Sequence, residues 1–349
     1  MRRIIAAGLA AAGLLLGGCS SQAAAPQQGH RQAGSPVGPP GTQASGELRL
    51  GLAEGIADAP ALLGWQMGFY GQNLGKVTLQ PTPFTSTAGE IAALREGQLD
   101  AAYLDPVAAL QAWQAAPGLI RIVAGATSGG AELVVAPRIA TPAQLKGRQL
   151  AAPAGGTQQA AADAWLRQHG LPALTAAEAT TSASTGLLQE FRTGKIAGAW
   201  EPPPLDVQMT AAGGRVLVNE ATLWPGGQFP TSVLVVTQRY LTADSLAVTA
   251  LLKGQAQTDR FLTTSQVSAR AAIAQRLTAI GSPLTAAVIA RSFAQLTFTS
   301  NPLPATLLTE AQHAAAAGLI KPVKNLTSIY DLGPLNQVLK AAGQPPVGA

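Results

Sequence analysis

The chain has 349 residues, of which 47% are hydrophobic and only 12% are charged, and its formal net charge is +5. The basic residues are scattered, so the chain lacks the clustered lysines and arginines of a nucleic-acid-binding surface. His30, His169 and His313 have neither metal-ligand spacing nor a nearby nucleophile, which argues against a metal centre and against common catalytic sites. We therefore expect a protein that is not an enzyme, with no cofactor, no metal and no nucleic-acid partner.

Residues 1–19 are predicted to be a lipoprotein signal peptide. Arg2 and Arg3 precede an apolar run over residues 4–16, which is too short to span a bilayer as a helix. Cys19, the only cysteine, follows this run in an arrangement that resembles the bacterial lipobox, whose cysteine is acylated. The alternatives are a short retained anchor and a cysteine without a role.

A signal peptide of this kind predicts a lipid anchor on the extracytoplasmic face of a bacterial cell membrane, the periplasmic side if there is an outer membrane. Residues 20–45 are rich in Gln, Pro, Gly and Ser and have no apolar period. We expect them to form a disordered tether between the membrane and a folded body.

From Gly46 onward, predicted strands and helices alternate, which favours an α/β fold with a mostly parallel sheet and helices on both faces. A body of this length predicts two lobes. The predicted strands are 48–52, 77–79, 101–104, 120–124, 133–135, 149–152, 197–200, 216–218 and 233–236. The predicted helices are 60–70, 89–96, 106–115, 158–169, 187–193, 205–212, 245–262, 267–280, 286–296, 307–317 and 335–342.

One segment of the body has an internal echo. Gly89–Pro106 aligns without a gap with Gly186–Pro203, 97 residues later, and each copy reads as helix, glycine, short strand, aromatic residue and proline. The pattern indicates either a duplicated unit or a chance match. If it is a duplication, the strand ends at Tyr103–Pro106 and Trp200–Pro203 should face each other across a cleft, because ligands bind beyond the carboxyl ends of strands in open α/β sheets.

The best anion-site candidate is Ala152–Gln158, which joins a predicted strand to a predicted helix. Gly156 lets the backbone approach a ligand, and the first N–H groups of the helix and the Thr157 hydroxyl could bind an anion. The alternative is an ordinary tight turn with Thr157 as the helix N-cap. Thr127–Gly130 and Thr85–Gly89 have two comparable interpretations, an oxyanion contact or an exposed turn.

Two acidic residues and one aromatic loop complete the candidates. Asp105 and Glu201 lie at the predicted strand ends, where each is either solvated, in contact with an ammonium group of a ligand, or part of an acid/base pair. The loop Trp224–Pro230 either lines the cleft or hinge or is a packed structural loop.

Seven segments carry a family resemblance: 59–62, 93–100, 125–135, 145–151, 194–202, 223–229 and 329–332. Together they resemble the nitrate, sulfonate and taurine group of ABC-transporter solute-binding proteins, most of all its aliphatic sulfonate-binding branch. The resemblance implies a two-lobed type II periplasmic-binding-protein fold with a ligand cleft between the lobes. Lobe 1 would comprise residues 46–136 and 230–349, and lobe 2 residues 137–229, with the chain crossing near 135–139 and 228–232.

The resemblance also implies a set of ligand contacts. These are Gly55, Asp58, Thr87, Ala88, Gly89, Asp105, Thr127, Ser128, Gly156, Thr157, Trp200 and Glu201. The loop over residues 53–58 is more acidic than in relatives, and Asp105 stands where a small neutral residue is common. This extra negative charge favours a zwitterion such as taurine over a bare anion.

The implied function is capture of a small organosulfonate, either an alkanesulfonate or a taurine-like zwitterion, by a monomer that delivers it to an ABC permease and its ATPase. The first alternative is the same role for nitrate, bicarbonate or a pyrimidine precursor. The others are an enzyme on the same fold and a lipoprotein with a purely structural role.

Overall fold

The strands and helices that follow Gly46 build two mixed sheets. The computed structural model describes residues 46–180 and 184–348, so the predicted signal peptide, Cys19 and the tether lie outside the described residues. None of the helices in these two ranges is long and apolar enough to cross a membrane.

The strands are β1 (Glu47–Ala53), β2 (Thr78–Phe84), β3 (Ala101–Leu104), β4 (Ile120–Gly129), β5 (Glu132–Val135), β6 (Leu150–Pro153), β7 (Ala179–Thr180), β8 (Gly198–Glu201), β9 (Arg215–Asn219), β10 (Pro230–Thr237) and β11 (Leu296–Phe298). The helices are α1 (Ala59–Gln66), α2 (Phe69–Leu74), α3 (Thr87–Arg95), α4 (Pro106–Ala115), α5 (Thr157–Gln168), α6 (Ser184–Arg192), α7 (Leu205–Ala211), α8 (Gln238–Ala243), α9 (Ser245–Thr264), α10 (Gln266–Ala279), α11 (Ala286–Gln295), α12 (Pro304–Ala316) and α13 (Gly333–Ala341). Short 3-10 helices lie at Ile56–Asp58, Pro142–Leu145, Glu220–Leu223, Pro225–Gly227 and Thr327–Ile329.

The first sheet has the strand order β11-β4-β10-β3-β1-β2, and the second has the order β7-β6-β8-β5-β9. Strand β1 runs parallel to β2 and β3, and β6 runs parallel to β7 and β8. In contrast, β10 is antiparallel to β3 and β4, and β5 is antiparallel to β8 and β9. The α/β class is confirmed, but the expected mostly parallel sheet is wrong. The reason is that β5 and β10 enter their sheets through short connections from the other sheet rather than through crossover helices.

The internal echo is confirmed as a repeated structural unit. Helix α3 and strand β3 correspond to α6 and β8, whose bounds lie 97 residues later. Each strand sits between one parallel and one antiparallel neighbour, β1 and β10 for β3, and β6 and β5 for β8. Gly97 and Gly194 follow the two helices with φ values of 70° and 73°, the left-handed conformation that favours glycine after a helix.

The chain passes between the sheets twice. Strand β4 ends in the first sheet at Gly129, and β5 begins in the second sheet at Glu132, so the first passage is at Gly130 and Ala131. The resemblance implies a crossing near 135–139 with β5 in lobe 1, whereas β5 pairs with β8 and β9 in the second sheet. The two glycines 129 and 130 have φ values of 85° and 94°, which allow the sharp change of direction.

The second passage runs from Asn219, the end of β9 in the second sheet, to Pro230, the start of β10 in the first sheet. The two passages are bonded to each other: the Gly129 N–H donates to the Phe229 carbonyl (2.9 Å), and the Phe229 N–H donates to the Ser128 hydroxyl (3.1 Å). The boundaries of the two lobes stay a prediction.

Two local differences from the predicted elements have clear causes. The predicted helix over residues 60–70 is divided into α1 and α2, because Gly68 adopts a left-handed conformation with φ of 73°. Strand β2 is longer than predicted and includes Pro81 and Pro83. An edge strand tolerates proline, since one side of it needs no ladder hydrogen bonds.

Candidate functional site

The two sheets meet at Asp105, directly after β3. Its carboxylate accepts the Ala108 N–H (3.0 Å) and so caps α4. It also accepts the Thr157 N–H at the start of α5, with distances of 3.1 Å to Oδ2 and 3.3 Å to Oδ1. The Thr157 hydroxyl in turn accepts the Val107 N–H (3.4 Å). The first turn of α5, predicted to hold a ligand anion, therefore holds a carboxylate of the protein itself.

Gly156 explains how Asp105 can come so close. A Cβ on Gly156 would lie 3.2 Å from Asp105 Oδ2, closer than most side-chain contacts. The glycine that was expected to let a ligand approach the backbone thus lets Asp105 approach it.

Asp58 lies on the loop after β1, near Asp105. The Ser232 hydroxyl donates to its Oδ1 (2.9 Å), while the Thr127 hydroxyl donates to the neighbouring Ala57 carbonyl (2.6 Å). Burial, together with the charge of Asp105, raises the pKa of Asp58 to about 7, although the bond from Ser232 opposes this shift. Burial also raises the pKa of Asp105.

Asp58, Asp105, Gly55 and Gly156 form what we call the recess. Gly55 accepts the Asp58 N–H (3.2 Å), the charge of Asp105 acts on Asp58, and Gly156 lies against Asp105. All four residues are half-buried. Glu90 lies close by, where burial and the charge of Asp58 raise its pKa to about 9. Within residues 46–180 and 184–348, neither Asp58, Asp105 nor Glu90 forms an ion pair with a lysine or arginine. The recess is therefore acidic, which favours a ligand with a positive charge or several N–H donors.

The predicted hydroxyl sites are placed differently from one another. Thr127 and Ser128 are buried near the end of β4, and both hydroxyls already make internal hydrogen bonds. Thr87 and Ala88 are exposed in the first turn of α3, whose N-cap Ser86 accepts the Gly89 N–H (3.2 Å). Because β1, β2 and β3 are parallel neighbours, the start of α3 lies on the same edge as Asp58 and Asp105.

Trp200 and Glu201 are both buried in the second sheet. The Trp200 indole N–H donates to Glu220 (2.7 Å), and Trp224 donates to the other oxygen of the same carboxylate (3.1 Å). Glu201 lies opposite Glu132 across the β5–β8 pair. Its pKa is raised to about 8 by burial and by the charge of Asp206, so it belongs to a separate acidic cluster.

Two acidic residues near the recess were not predicted from the sequence. Burial raises the pKa of Glu220 to about 7, against its hydrogen bonds from the two tryptophans. Glu310 on α12 is 1% exposed, and both its carboxylate oxygens lack a hydrogen-bond partner among the described residues. Burial and the charges of Glu220 and Asp105 raise the pKa of Glu310 well above its usual value. Its position on the apolar stripe of Leu307, Ala311 and Ala314 is the signal that could have revealed it.

The structure therefore brings together Gly55, Asp58, Asp105, Gly156 and Thr157, with Thr127 supporting the first loop. Trp200 is bonded to Glu220, and Glu201 lies beside Glu132 and Asp206. A contact with ligand stays a prediction for all twelve residues. In the described part of the chain, no group of three His, Cys, Asp or Glu side chains could hold a metal ion.

The fold is similar to that of several solved proteins. The alkanesulfonate-binding protein SsuA from Xanthomonas axonopodis pv. citri, solved with bound MOPS, is 20% identical, has a TM-score of 0.65, and the match covers 82% of this chain and 97% of that one. The periplasmic aliphatic sulphonate-binding protein SsuA from Escherichia coli is 20% identical with a TM-score of 0.66, over 82% and 96% of the two chains. The periplasmic nitrate-binding protein NrtA from Synechocystis PCC 6803 is 14% identical with a TM-score of 0.68, over 86% and 89%.

The same fold also occurs in a cysteine-to-serine mutant of DszB solved with biphenyl-2-sulfinic acid, at 14% identity, a TM-score of 0.63, and coverage of 85% and 100%. At such identities the likeness shows the periplasmic-binding-protein fold, as the resemblance predicted. No curated protein sequence matches the chain. The model of the NMT1-like family matches residues 41–278, which is more than half of the chain. The chain therefore belongs to the NMT1-like family.

Proposed function

We propose that the protein is the solute-binding component of an ABC importer, and that its solute is a small taurine-like zwitterion with an ammonium group and a sulfonate. The fold and the sulfonate- and nitrate-binding neighbours support the binding role. The observation that carries the choice of solute is the acidic recess, where the half-buried Asp58 and Asp105 lie close together without a basic partner among the described residues.

The two ends of such a solute need different partners. An ammonium group satisfies Asp58 and Asp105, whose burial without a counter-charge is costly. The sulfonate needs N–H donors, and the first turn of α3 offers them, because the first N–H groups of a helix lack partners within the helix. The Thr157 N–H is already bonded to Asp105, so we do not assign it to the sulfonate.

Calorimetric titration with taurine, ethanesulfonate and 2-aminoethanol tests this proposal. We expect taurine to bind most tightly and ethanesulfonate, which lacks the ammonium group, to bind at least tenfold more weakly, about 1.4 kcal/mol. Asp58→Asn should reduce this preference, whereas Glu47→Gln, a change at an exposed carboxylate, should leave it intact. Equal binding of ethanesulfonate or nitrate would refute the assignment.

A second candidate solute is a pyrimidine precursor. A 4-aminopyrimidine protonated at N3 presents its amino group and a ring N–H side by side, which suits two neighbouring carboxylates, whereas nitrate and bicarbonate offer no positive charge. A competition titration in which 4-aminopyrimidine displaces taurine would favour this candidate. Recovery of the solute unchanged after long incubation is expected for a binding protein, and product formation would support an enzyme.

The proposed location is extracytoplasmic, with Cys19 acylated and the protein held at the membrane as a monomer that docks on a permease. We expect the full chain to fractionate with membranes and Cys19→Ser to be released in soluble form. Mass spectrometry of the membrane-bound protein should show the acyl groups on Cys19.

A further inference from the structure

A cavity that includes none of the four recess residues lies between α5 on the second sheet and α12. Its volume is about 450 Å³, and Trp165 lines it from α5, Trp224 and Pro225 from the adjoining loop, and Thr309 and His313 from α12. None of these five residues belongs to the predicted contact set.

The walls of this cavity are unusually aromatic. The Trp224 ring packs against His313 and Phe229, with centroids 5.5 and 5.8 Å apart, and the Trp165 ring packs against His169 and Trp200, at 4.2 and 6.0 Å. The faces of indole rings attract cations electrostatically, and sites for organic ammonium ions use several such faces.

Acidic residues near the cavity also favour a cation. Glu220 accepts the indole N–H of Trp224 (3.1 Å), so a carboxylate lies at the edge of the ring that lines the cavity. Glu310 lies one turn before His313 on α12, with both oxygens buried and unpartnered among the described residues. Burial and the charge of Arg167 lower the pKa of His313, which keeps its imidazole neutral and removes a repulsion toward cations. The Arg167 guanidinium itself donates to the Ala316 carbonyl (2.8 Å).

We propose that this cavity is a second binding site, for a small organic ammonium ion that contacts the indole rings of Trp165 and Trp224 where they line the cavity. The ion touches α5 and α12 at once and so stabilises the packing of these two helices. This site does not depend on the solute assigned to the recess, because it shares none of the recess residues.

Choline and its neutral isostere 3,3-dimethylbutan-1-ol test the proposal, since they differ in charge but hardly in shape. We expect calorimetry to detect choline binding at least tenfold tighter than binding of the isostere. Bound choline should raise the melting temperature, because a ligand of the native state stabilises it by RT ln(1 + [L]/Kd).

A matched pair of variants locates the site. Thr309→Lys places a positive charge in the cavity and should weaken choline binding at least tenfold, while Thr309→Gln, of similar size but uncharged, should change it less than threefold. Circular dichroism checks that both variants fold. Failure of choline to bind, equal binding of the neutral isostere, or equal effects of the two variants would overturn the proposal.

Discussion

The two copies of the repeated unit have the same backbone but opposite chemistry at their strand ends. In the first copy β3 is followed by Asp105, which is partly accessible, caps α4 and bonds to α5. In the second copy, β8 ends at the buried Glu201, and Pro202 occupies the position that matches Asp105. The comparison shows that the fold fixes the position of each strand end. The residue at that position decides whether the strand end stays partly accessible or is buried in the core.

The aromatic residues at the matched positions 103 and 200 give the largest expected effect. Trp200 is 1% exposed in the second core and bonded to Glu220. Trp200→Ala should lower the free energy of unfolding by about 3–5 kcal/mol, because it leaves a large cavity. Urea denaturation measures the loss. Trp200→Phe should retain more than half of the free energy of unfolding of the unchanged protein. A loss near zero for the alanine variant would show that this strand end is not packed as described.

The acidic residue in the second copy predicts a pH dependence. Because burial raises the pKa of Glu201 to about 8, the folded protein keeps this proton over a pH range in which the unfolded chain loses it. The contribution of Glu201 to stability is therefore full below the unfolded pKa and is lost as the pH rises toward 8, at up to about 1.4 kcal/mol per pH unit.

Glu201→Gln should accordingly flatten the fall in unfolding free energy between pH 5 and pH 8, measured by urea denaturation. Glu47→Gln, on the exposed start of β1, is the matched control and should leave the slope unchanged. An unchanged slope in Glu201→Gln would contradict the buried position of this carboxyl group.

In the first copy, we expect Asp105 to contribute both to the stability of the protein and to the hydrogen-exchange protection of the start of α5. Asp105→Ala removes the cap of α4 and should cost about 1–2 kcal/mol in urea denaturation. It also removes the bond to Thr157, so hydrogen exchange at the start of α5 should become faster. Pro202→Ala, at the matched position of the second copy, should leave exchange there unchanged. A similar response of both variants would mean that Asp105 does not join the two sheets.

The smallest expected effect is the loss of stability when the glycine that follows each repeated helix is replaced. This loss should be equal in the two copies. Gly97 and Gly194 adopt left-handed conformations, so replacing either by alanine should cost about 1 kcal/mol. Space does not limit either change, since a Cβ at Gly194 meets nothing within 4 Å and one at Gly97 meets only Arg239 at 3.9 Å. Unequal losses in thermal denaturation would show that the two turns are not equivalent.

The sequence predicted local features, such as the bounds of a helix, better than the contacts between distant parts of the chain. Helix α4 was predicted with the bounds it has, because Asp105 and Pro106 form a strong start signal. The direction of β5 and β10 could not be predicted, since periodicity does not record which sheet a strand enters. Asp105 was recognised as a candidate contact because it lies at a predicted strand end, which is a local feature. Its bond to Thr157 was not predicted, because the two residues are 52 positions apart in the sequence.

The remaining site residues were missed because single polar residues on apolar helices carry little signal. Glu310 lies in an alanine-rich helix, and only its neighbours in space, Glu220 and Asp105, make it unusual. Trp200, a ligand contact implied by the resemblance, donates its indole N–H to Glu220, a contact between distant parts of the chain that the sequence did not predict.

The hydrogen bonds between the two passages constrain how the protein can move. Gly129 and Phe229 belong to different passages and are bonded directly, so bending one segment bends the other. We therefore expect any relative motion of the two sheets to be a rotation about both segments together, without sliding. A solute bound between the sheets would then meet the same pair of sheet edges each time.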